Sequence, residues 1–188
     1  MILTDREIRI AIETRQVIID PAPADEAYSS TSLDLTLGAG LHVFKTAQPG
    51  LDMVIDPSAE GYNFLDAINE LANEQDVPAD GFALVPGKLI LARTEERVNL
   101  PITSRIAARV EGKSSLARLG LGVHITAPTI HGGFTGKIQL EIVNHGSRPI
   151  RLRKGMRICQ LIFETTLGVA DKGYAGQFLN QMIDGQAE

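Results

Sequence analysis

The sequence has a single cysteine, no long apolar run and no excess of positive charge, and each absence excludes a class of protein. Cys159 alone cannot form an intrachain disulfide, which favours a reducing compartment. With 18 basic and 23 acidic residues the net charge is −5, so broad attraction to a nucleic-acid backbone is not expected. The N-terminal stretch MILTDREIRIAIETRQ carries acidic residues and predicts neither a signal peptide nor a membrane anchor. We therefore expect a cytoplasmic protein without nucleic-acid or membrane partners.

Motifs for protein-bound metal are also missing. Zinc-dependent nucleoside deaminases need an H-x-E or C-x-E motif and a P-C-x-x-C pair, and neither occurs. The spacings of His42, His124, His131 and His145 match no common ligand pattern. The apolar neighbours of His124 predict a buried, hydrogen-bonded imidazole. We expect no zinc site.

The pattern of short strands and turn residues predicts a mainly β fold in one domain. Thr4 and Glu7 form a capping-box pattern at the start of a short N-terminal helix. A surface excursion is expected around 46–80, with a helix over 63–73. The predicted strands cover 17–19, 32–37, 41–44, 82–85, 89–96, 106–110, 123–125, 137–144, 150–152 and 158–164. Short strands at this spacing favour a sandwich or barrel over residues 1–188.

The stretch EGKSSLAR offers groups that could hold phosphates. Lys113 and Arg118 supply positive charge, Ser114 and Ser115 supply hydroxyl donors, and Gly112 permits close approach of the backbone. The spacing is not that of a P-loop. The alternative is a strand-to-helix turn with Ser114 as the N-cap and both cations solvated, which composition alone slightly favours.

A glycine-rich turn precedes the strand predicted over 137–144. Three glycines lie within five residues, at 132, 133 and 136. Alternation in the strand places Leu140 on its apolar face and Gln139 and Glu141 on the other face. An isolated glutamate at such a position is most often an ordinary surface residue, and this alternative stays open on the pattern alone.

Three runs of sequence together resemble one family, the dCTP deaminases. They are RVEGKSSLARLGLGVHITA, GFTGKIQLEIVN and RPIRLRKGMRICQLIFE, and the segments MILTDREI and SSTSLDLTLG fit the start of the same family. The resemblance implies a distorted β-barrel of the dUTPase-like (β-clip) type. It also implies a homotrimer with sites at the subunit boundaries and a C-terminal lid around 170–188.

The resemblance also implies roles for individual residues. Glu141 matches the catalytic glutamate, which takes a proton from the attacking water and passes it to the leaving ammonia. Ser114 and Arg118 match residues that place the water and reach the substrate from the neighbouring subunit. Lys113 and Ser115 match contacts to the triphosphate.

Further nucleotide contacts are implied at positions spread along the chain. They are Ala127, Gln139, Leu140, Gln160 (typical of bifunctional members), and Tyr174 and Gln181 in the lid segment YAGQFLNQ. His131 stands where the family pattern I-D-x-G-[FW] has an aspartate, and Gln177 replaces the lysine of the lid. Since that aspartate activates water for phosphate hydrolysis in dUTPases, the pattern favours deamination over dUTP hydrolysis.

Three functions follow as hypotheses. The first is deamination of dCTP to dUTP and ammonia in pyrimidine deoxynucleotide metabolism. The second is a bifunctional enzyme that releases dUMP and pyrophosphate, and the third is a family member that binds nucleotide without turnover. Mg²⁺ is expected to arrive on the triphosphate rather than on protein ligands, and dTTP is a candidate inhibitor.

Overall fold

A curled sheet of ten strands forms most of the described chain, which comprises residues 1–46 and 54–173 of a computed structural model. The described residues form twelve strands, ten of them in this sheet: β1 (Ile18–Asp20), β2 (Tyr28–Ser29), β3 (Ser32–Phe44), β4 (Ala72–Asp76), β5 (Phe82–Leu84), β6 (Leu89–Asn99), β7 (Ile106–Gly112), β8 (Leu121–Gly122), β9 (Thr129–Ile130), β10 (Thr135–Asn144), β11 (Ile150–Leu152) and β12 (Arg157–Thr165). The α-helices of these ranges are α1 (Asp5–Glu13), α2 (Phe64–Leu71) and α3 (Ser114–Ala117), and short 3₁₀ helices cover Asp25–Ala27 and Ile102–Ser104. None of the described helices is long and apolar enough to cross a membrane.

The long strand β3 joins the two halves of the sheet. Its early residues pair with β12, as in Leu33 opposite Leu161, and its later residues pair with β6, as in Val43 opposite Ile90. The main path runs β8-β10-β6-β3-β12-β7-β9, while β1 pairs with β6 and both β2 and β4 pair with β3. Strands β5 and β11 form a separate pair. This curled half-barrel confirms the mainly β prediction.

Alternation along β10 decides which side chains enter the core. Ile138, Leu140 and Ile142 are buried, whereas Gln139 and Glu141 are only half-buried. Successive side chains of a strand point to opposite faces, so the polar pair lies on the other side of the sheet from the core. Full burial of each such aliphatic side chain stabilises the fold by about 1.5–3 kcal/mol. The predicted division of this strand is confirmed.

The N-terminal helix forms where the capping pattern predicts it. Helix α1 begins at Asp5 with Thr4 in the N-cap position, and Ile8 and Ala11 are its buried residues. The Thr4 hydroxyl donates to the Glu7 carboxylate, so the two residues of the box contact each other. The apolar side of α1 thereby packs into the core of the sheet.

The strand predicted over 123–125 is wrong. Pairing with β10 is confined to Leu121 and Gly122, which lie opposite Asn144 and Val143, and the chain bends away after them. His124 is therefore only partly buried, at 26% exposure of its side chain. Its Nδ1 is buried without a hydrogen-bond partner in the described part of the chain, contrary to the predicted hydrogen-bonded imidazole.

The segment predicted as a surface excursion contributes to the main sheet. The helix predicted over 63–73 is confirmed as α2, whose N-cap Asn63 accepts hydrogen bonds from the backbone of Leu65 at 2.8 Å and Asp66 at 3.3 Å. The strand β4 that follows was not predicted. Its sequence ANEQD has no apolar alternation, and backbone pairing with β3 holds it in place.

Two glycines fix the chain that leaves α3 against the end of β10. Gly120 has φ of +96°, and a Cβ on it would lie 2.3 Å from the backbone nitrogen of Gly146. The backbone N–H of His145 donates to the Gly120 carbonyl at 2.7 Å. Because neither backbone could approach so closely past a side chain, these positions require glycine.

Candidate active site

A cavity of about 480 Å³ lies beside the polar face of β10. This volume is in the range of small-molecule sites, which span roughly 300–1,000 Å³. Its polar lining includes His131, Lys137, Gln139 and Glu141, with Ala127 beside them. The structure thus brings together four residues that the sequence placed at the substrate, namely Ala127, His131, Gln139 and Glu141. Lys137 was not singled out, although its position on the same face of β10 as Gln139 is a usable signal.

Much of the remaining lining is apolar and comes from segments that the sequence did not connect with the site. Phe44 ends β3, Leu91 lies on β6, and Phe64 and Ile68 belong to α2. The i, i+4 spacing of Phe64 and Ile68 places them on one face of the helix. The same spacing in the sequence would have indicated an apolar face directed at a neighbouring surface, but it could not indicate which surface.

Glu141 is not an ordinary surface glutamate. Its side chain is half-buried in the cavity lining, and the backbone N–H of Ile125 donates to its Oε2 over 3.4 Å. This long hydrogen bond connects β10 with the loop that follows β8. A carboxylate in such a position can take a proton from a bound ligand and return it to another atom of that ligand.

His124 extends the polar lining toward β7. Its Nε2 lies 3.8 Å from Glu111 Oε2, and Glu111 Oε1 lies 3.4 Å from Arg109 Nη1. Arg109 also contacts Glu164, with Nη2 at 2.9 Å from Oε1. These groups form a line of alternating charge across β7 and β12, which ends at the imidazole beside the cavity.

The EGKSSLAR stretch forms the turn from β7 into α3. Ser114, Ser115 and Arg118 are exposed, and none of them lines the cavity that contains Glu141. The N-cap position falls on Lys113 rather than on Ser114, so that alternative was off by one residue. Within one chain, the predicted water-placing residues therefore lie apart from the predicted proton carrier.

Lys113 makes an ion pair that the sequence did not indicate. Its Nζ lies 2.5 Å from Asp34 Oδ2, and Arg157 Nη1 lies 3.9 Å from the same oxygen. The Asp34 side chain is only 5% exposed. Asp34 is 79 residues from Lys113 in sequence, so no local pattern could have joined them.

Two other predicted contacts lie outside the cavity. The Ser32 hydroxyl donates to Gln160 Oε1 at 2.9 Å, and Gln160 Nε2 donates to the Gly112 carbonyl at 3.2 Å. Leu140 is fully buried on the core face of β10, so its side chain does not reach the cavity. The predicted lid residues Tyr174, Gln177 and Gln181 fall outside the described residues.

The described ranges contain no group of three or more histidine, cysteine, aspartate or glutamate side chains arranged to hold a metal ion. The chemistry available in the cavity is that of a carboxylate, two imidazoles, a hydroxyl, an amide and an ammonium group next to apolar walls. Apolar walls with a few polar groups are typical of sites that bind and orient a small molecule.

Comparisons of sequence find relatives along nearly the whole chain. The sequence model of the family described as dCTP deaminase-like matches residues 2–166. A protein of Shewanella frigidimarina named dCTP deaminase is 44% identical over 179 residues, which cover 93% of this chain and 88% of the relative. A protein of Methanosphaera stadtmanae named "dCTP deaminase, dUMP-forming" is 37% identical over 186 residues, covering 98% of this chain and 89% of the relative.

Solved structures share the architecture. The 2'-deoxycytidine 5'-triphosphate deaminase from Agrobacterium tumefaciens matches with a TM-score of 0.66 and 26% identity, over 87% of this chain and 48% of that chain. This chain therefore spans about half the length of that protein. A dUTPase variant from phage 80alpha matches with a TM-score of 0.50 and 12% identity, over 85% of this chain and 96% of that chain, and shows likeness of fold alone. The match over residues 2–166 and the relatives at 37% and 44% identity establish that this chain belongs to the dCTP deaminase-like family.

Proposed function

We propose that this protein catalyses the hydrolytic deamination of dCTP to dUTP and ammonia, with Glu141 as the proton-transferring residue. The observation that carries the proposal is the half-buried carboxylate of Glu141 inside a cavity of about 480 Å³. The name of the relative from Shewanella frigidimarina supports this reaction, and the name of the relative from Methanosphaera stadtmanae supports dCTP as the substrate that is deaminated.

The reaction needs one group that moves protons in both directions. Glu141 accepts a proton from water as the water oxygen bonds to cytosine C4, and it passes this proton to N3 of the ring. It then takes the proton of the new C4 hydroxyl and passes it to the exocyclic amine. The C4–N4 bond breaks, ammonia leaves with the electron pair, and the C4 carbonyl of uracil forms. A positioned acid–base residue of this kind accelerates such steps by about 10²–10⁴-fold.

The other cavity residues are proposed to orient the nucleotide. The amide of Gln139 and the backbone near Ala127 lie in the same lining as Glu141 and offer hydrogen-bonding groups to a base. Phe64 and Ile68 exclude water from that side of the cavity, which strengthens polar contacts within it.

A homotrimer is proposed to complete the site. Ser114 and Arg118 are exposed on α3 and lie outside the lining of the cavity in their own chain. They are therefore free to enter the cavity of a neighbouring subunit, where the hydroxyl and the guanidinium would place the attacking water and contact the substrate.

The triphosphate is proposed to bind at Lys113 and Ser115, with Tyr174 and Gln181 closing over it. Mg²⁺ arrives as part of the substrate, coordinated by phosphate oxygens. By the same logic dTTP, which carries the same triphosphate, competes for the site. The enzyme is proposed to act in the cytoplasm.

A second product remains part of the proposal because of one relative. The Methanosphaera stadtmanae protein is named as dUMP-forming. In this chain His131 lines the cavity where the family pattern has an aspartate, and an imidazole places charge differently from a carboxylate. We therefore propose dUTP as the released product and treat dUMP as the outcome that would replace it.

Incubation of the protein with Mg·dCTP, followed by chromatography of the nucleotides and an ammonia assay, tests the proposal. Equal amounts of dUTP and ammonia are expected. Formation of dUMP and pyrophosphate would show the bifunctional reaction instead. Unchanged dCTP alongside measurable nucleotide binding would leave a binding protein without turnover.

A further inference from the structure

Two polar side chains are buried at alternate positions of β3. Ser32 is 5% exposed and Asp34 is 6% exposed, whereas Leu33 between them faces the core at 0%. Burial of a hydroxyl or a carboxylate costs free energy unless each polar group finds a partner. Their partners lie on distant parts of the chain. Apart from Arg157 of β12, whose Nη1 lies 3.9 Å from Asp34 Oδ2, these partners lead to the turn before α3.

Asp34 holds this turn through the side chain of Lys113. Its Oδ2 lies 2.5 Å from Lys113 Nζ, and the Lys113 side chain is 23% exposed. An ammonium group has three N–H donors, so two remain after the bond to Asp34. Lys113 is thus held at its inner side while part of its charged end can still meet a ligand.

Ser32 holds Gly112, the residue before Lys113, through Gln160. The Ser32 hydroxyl donates to Gln160 Oε1 at 2.9 Å, and Gln160 Nε2 donates to the Gly112 carbonyl at 3.2 Å. Gln160 lies directly opposite Asp34 in the pairing of β12 with β3. Both ends of the Gln160 amide are therefore engaged inside the protein, which differs from the direct nucleotide contact that the sequence resemblance implied.

We propose that Ser32, Asp34 and Gln160 are positioning residues that hold the turn before α3, and with it the start of α3 at 114–115, in the form that binds the triphosphate of the substrate. This inference rests on the proposed function, in which Lys113 and Ser115 contact phosphate. These contacts act at two successive residues. Asp34 holds the Lys113 side chain, and Ser32 with Gln160 holds the Gly112 carbonyl.

Removing the charge of Asp34 distinguishes a positioning role from simple electrostatic repulsion of the ligand. A carboxylate beside a phosphate site repels the ligand, so simple electrostatics predicts that Asp34→Asn binds triphosphate more tightly. A positioning role predicts the opposite, because the freed lysine must be ordered again when the ligand binds. Asp34 Oδ1 is buried without a hydrogen-bond partner among the described residues. Hydrogen bonds to both carboxylate oxygens therefore do not explain why Asp34 is buried.

The first test measures calorimetric binding of Mg²⁺ with inorganic triphosphate, which does not depend on deamination. Asp34→Asn is expected to weaken binding about tenfold and Ser32→Ala about threefold, the order expected when one supporting hydrogen bond is lost. Ser32→Thr, which keeps the hydroxyl, is expected to restore most of the affinity. Asp25→Asn and Ser29→Ala, at exposed positions, are the matched controls.

The second test is the kinetics of dCTP turnover by the same variants. KM should rise by the same factors while kcat stays within about twofold, because the proton-transferring group is untouched. Tighter or unchanged triphosphate binding by folded Asp34→Asn and Ser32→Ala would overturn the inference, as would a wild-type protein that does not bind triphosphate. If Asp34→Asn fails to fold, Ser32→Ala and its threonine rescue decide alone. Wild-type protein that binds triphosphate through this turn without forming dUTP would end the proposed function and leave this inference standing.

Discussion

The backbone N–H of Ile125 points at Glu141 Oε2 across 3.4 Å, and so connects the loop after β8 with the middle of β10. The two residues are held by different parts of the sheet, since β8 ends at Gly122 and Glu141 pairs with Leu91 of β6. A backbone donor cannot change its protonation state. It therefore orients the carboxylate without competing for the proton that the carboxylate would carry.

Glu141→Gln should abolish ammonia release from dCTP, with a loss of kcat of at least about 10²-fold, because an amide cannot accept and return a proton. The variant keeps the shape of the side chain, so its thermal unfolding and its affinity for dCTP should remain near those of the wild type. Glu74→Gln, at an exposed position of β4, is the control and should retain full activity. Substantial turnover by Glu141→Gln would remove Glu141 from the mechanism.

Ile68→Ala should raise the KM for dCTP several-fold, because it removes part of the apolar wall that α2 contributes to the cavity. The melting temperature should change little, since α2 has no fully buried residue. Leu65→Ala provides the comparison on the same helix, because Leu65 is 53% exposed and does not line the cavity. Equal effects of both substitutions on KM would show that α2 is not a wall of the substrate site.

Substitutions on the two faces of β10 should have different effects, with one face affecting mainly stability and the other mainly substrate binding. Leu140→Ala removes a fully buried side chain and should lower the free energy of unfolding by about 2–5 kcal/mol, measured by urea denaturation. Gln139→Ala changes the cavity face and should lower it by less than about 1 kcal/mol while raising the KM for dCTP. A reversal of the two effects would contradict the assignment of the faces.

His131→Asp should introduce dUMP among the products, because it places a carboxylate where the family pattern has one. The expected dUMP yield is at least about tenfold above that of the wild type, as a newly positioned general base would produce. His131→Asn is the control, since asparagine is similar in size to aspartate but has no carboxylate to act as a base. Equal dUMP from the wild type and the aspartate variant would show that His131 already supports phosphate hydrolysis or that this position plays no part in it.

The alkaline stability of the protein should depend on Cys159. Burial raises the pKa of the Cys159 thiol far above its ordinary value of 9.0, and the nearby charges of Glu96 and Asp34 act in the same direction. In the unfolded chain the Cys159 thiol ionises near its ordinary pKa of 9.0, whereas in the folded chain it stays protonated at that pH. The stabilising contribution is therefore complete below about pH 9 and falls by about 1.4 kcal/mol per unit above it.

Urea denaturation between pH 8 and pH 10 measures this contribution. The free energy of unfolding should fall more steeply with pH in the wild type than in Cys159→Ala, which lacks the thiol. Other ionising groups affect both proteins alike and cancel in the comparison. Parallel curves for the two proteins would show that the thiol does not contribute.

The strands with apolar alternation were predictable from the sequence because burial on one face repeats every second residue. In β10 this pattern placed Leu140 in the core and Glu141 on the opposite face, as the structure shows. The capping pattern at Thr4 likewise marked the start of α1, and the helix expected over 63–73 is α2. These features depend on neighbours in sequence, so one chain is enough to reveal them.

The parts that escaped prediction depend on contacts between distant residues. Strand β4 exists because β3 offers it backbone partners, and its own side chains carry no strand pattern. The link from Asp34 to Lys113 crosses 79 positions of sequence. The predicted strand at 123–125 failed because pairing with β10 ends at Gly122, which the apolar residues after it could not reveal.

The burial of the sole cysteine makes the protein suitable for site-specific labelling without first removing a native thiol. Cys159 is 0% exposed, so a maleimide dye would react only with a cysteine introduced at the surface. Ala117 is exposed on α3, next to the predicted water-placing Arg118. A fluorophore at Ala117→Cys would therefore report directly on whether that helix is covered when subunits assemble.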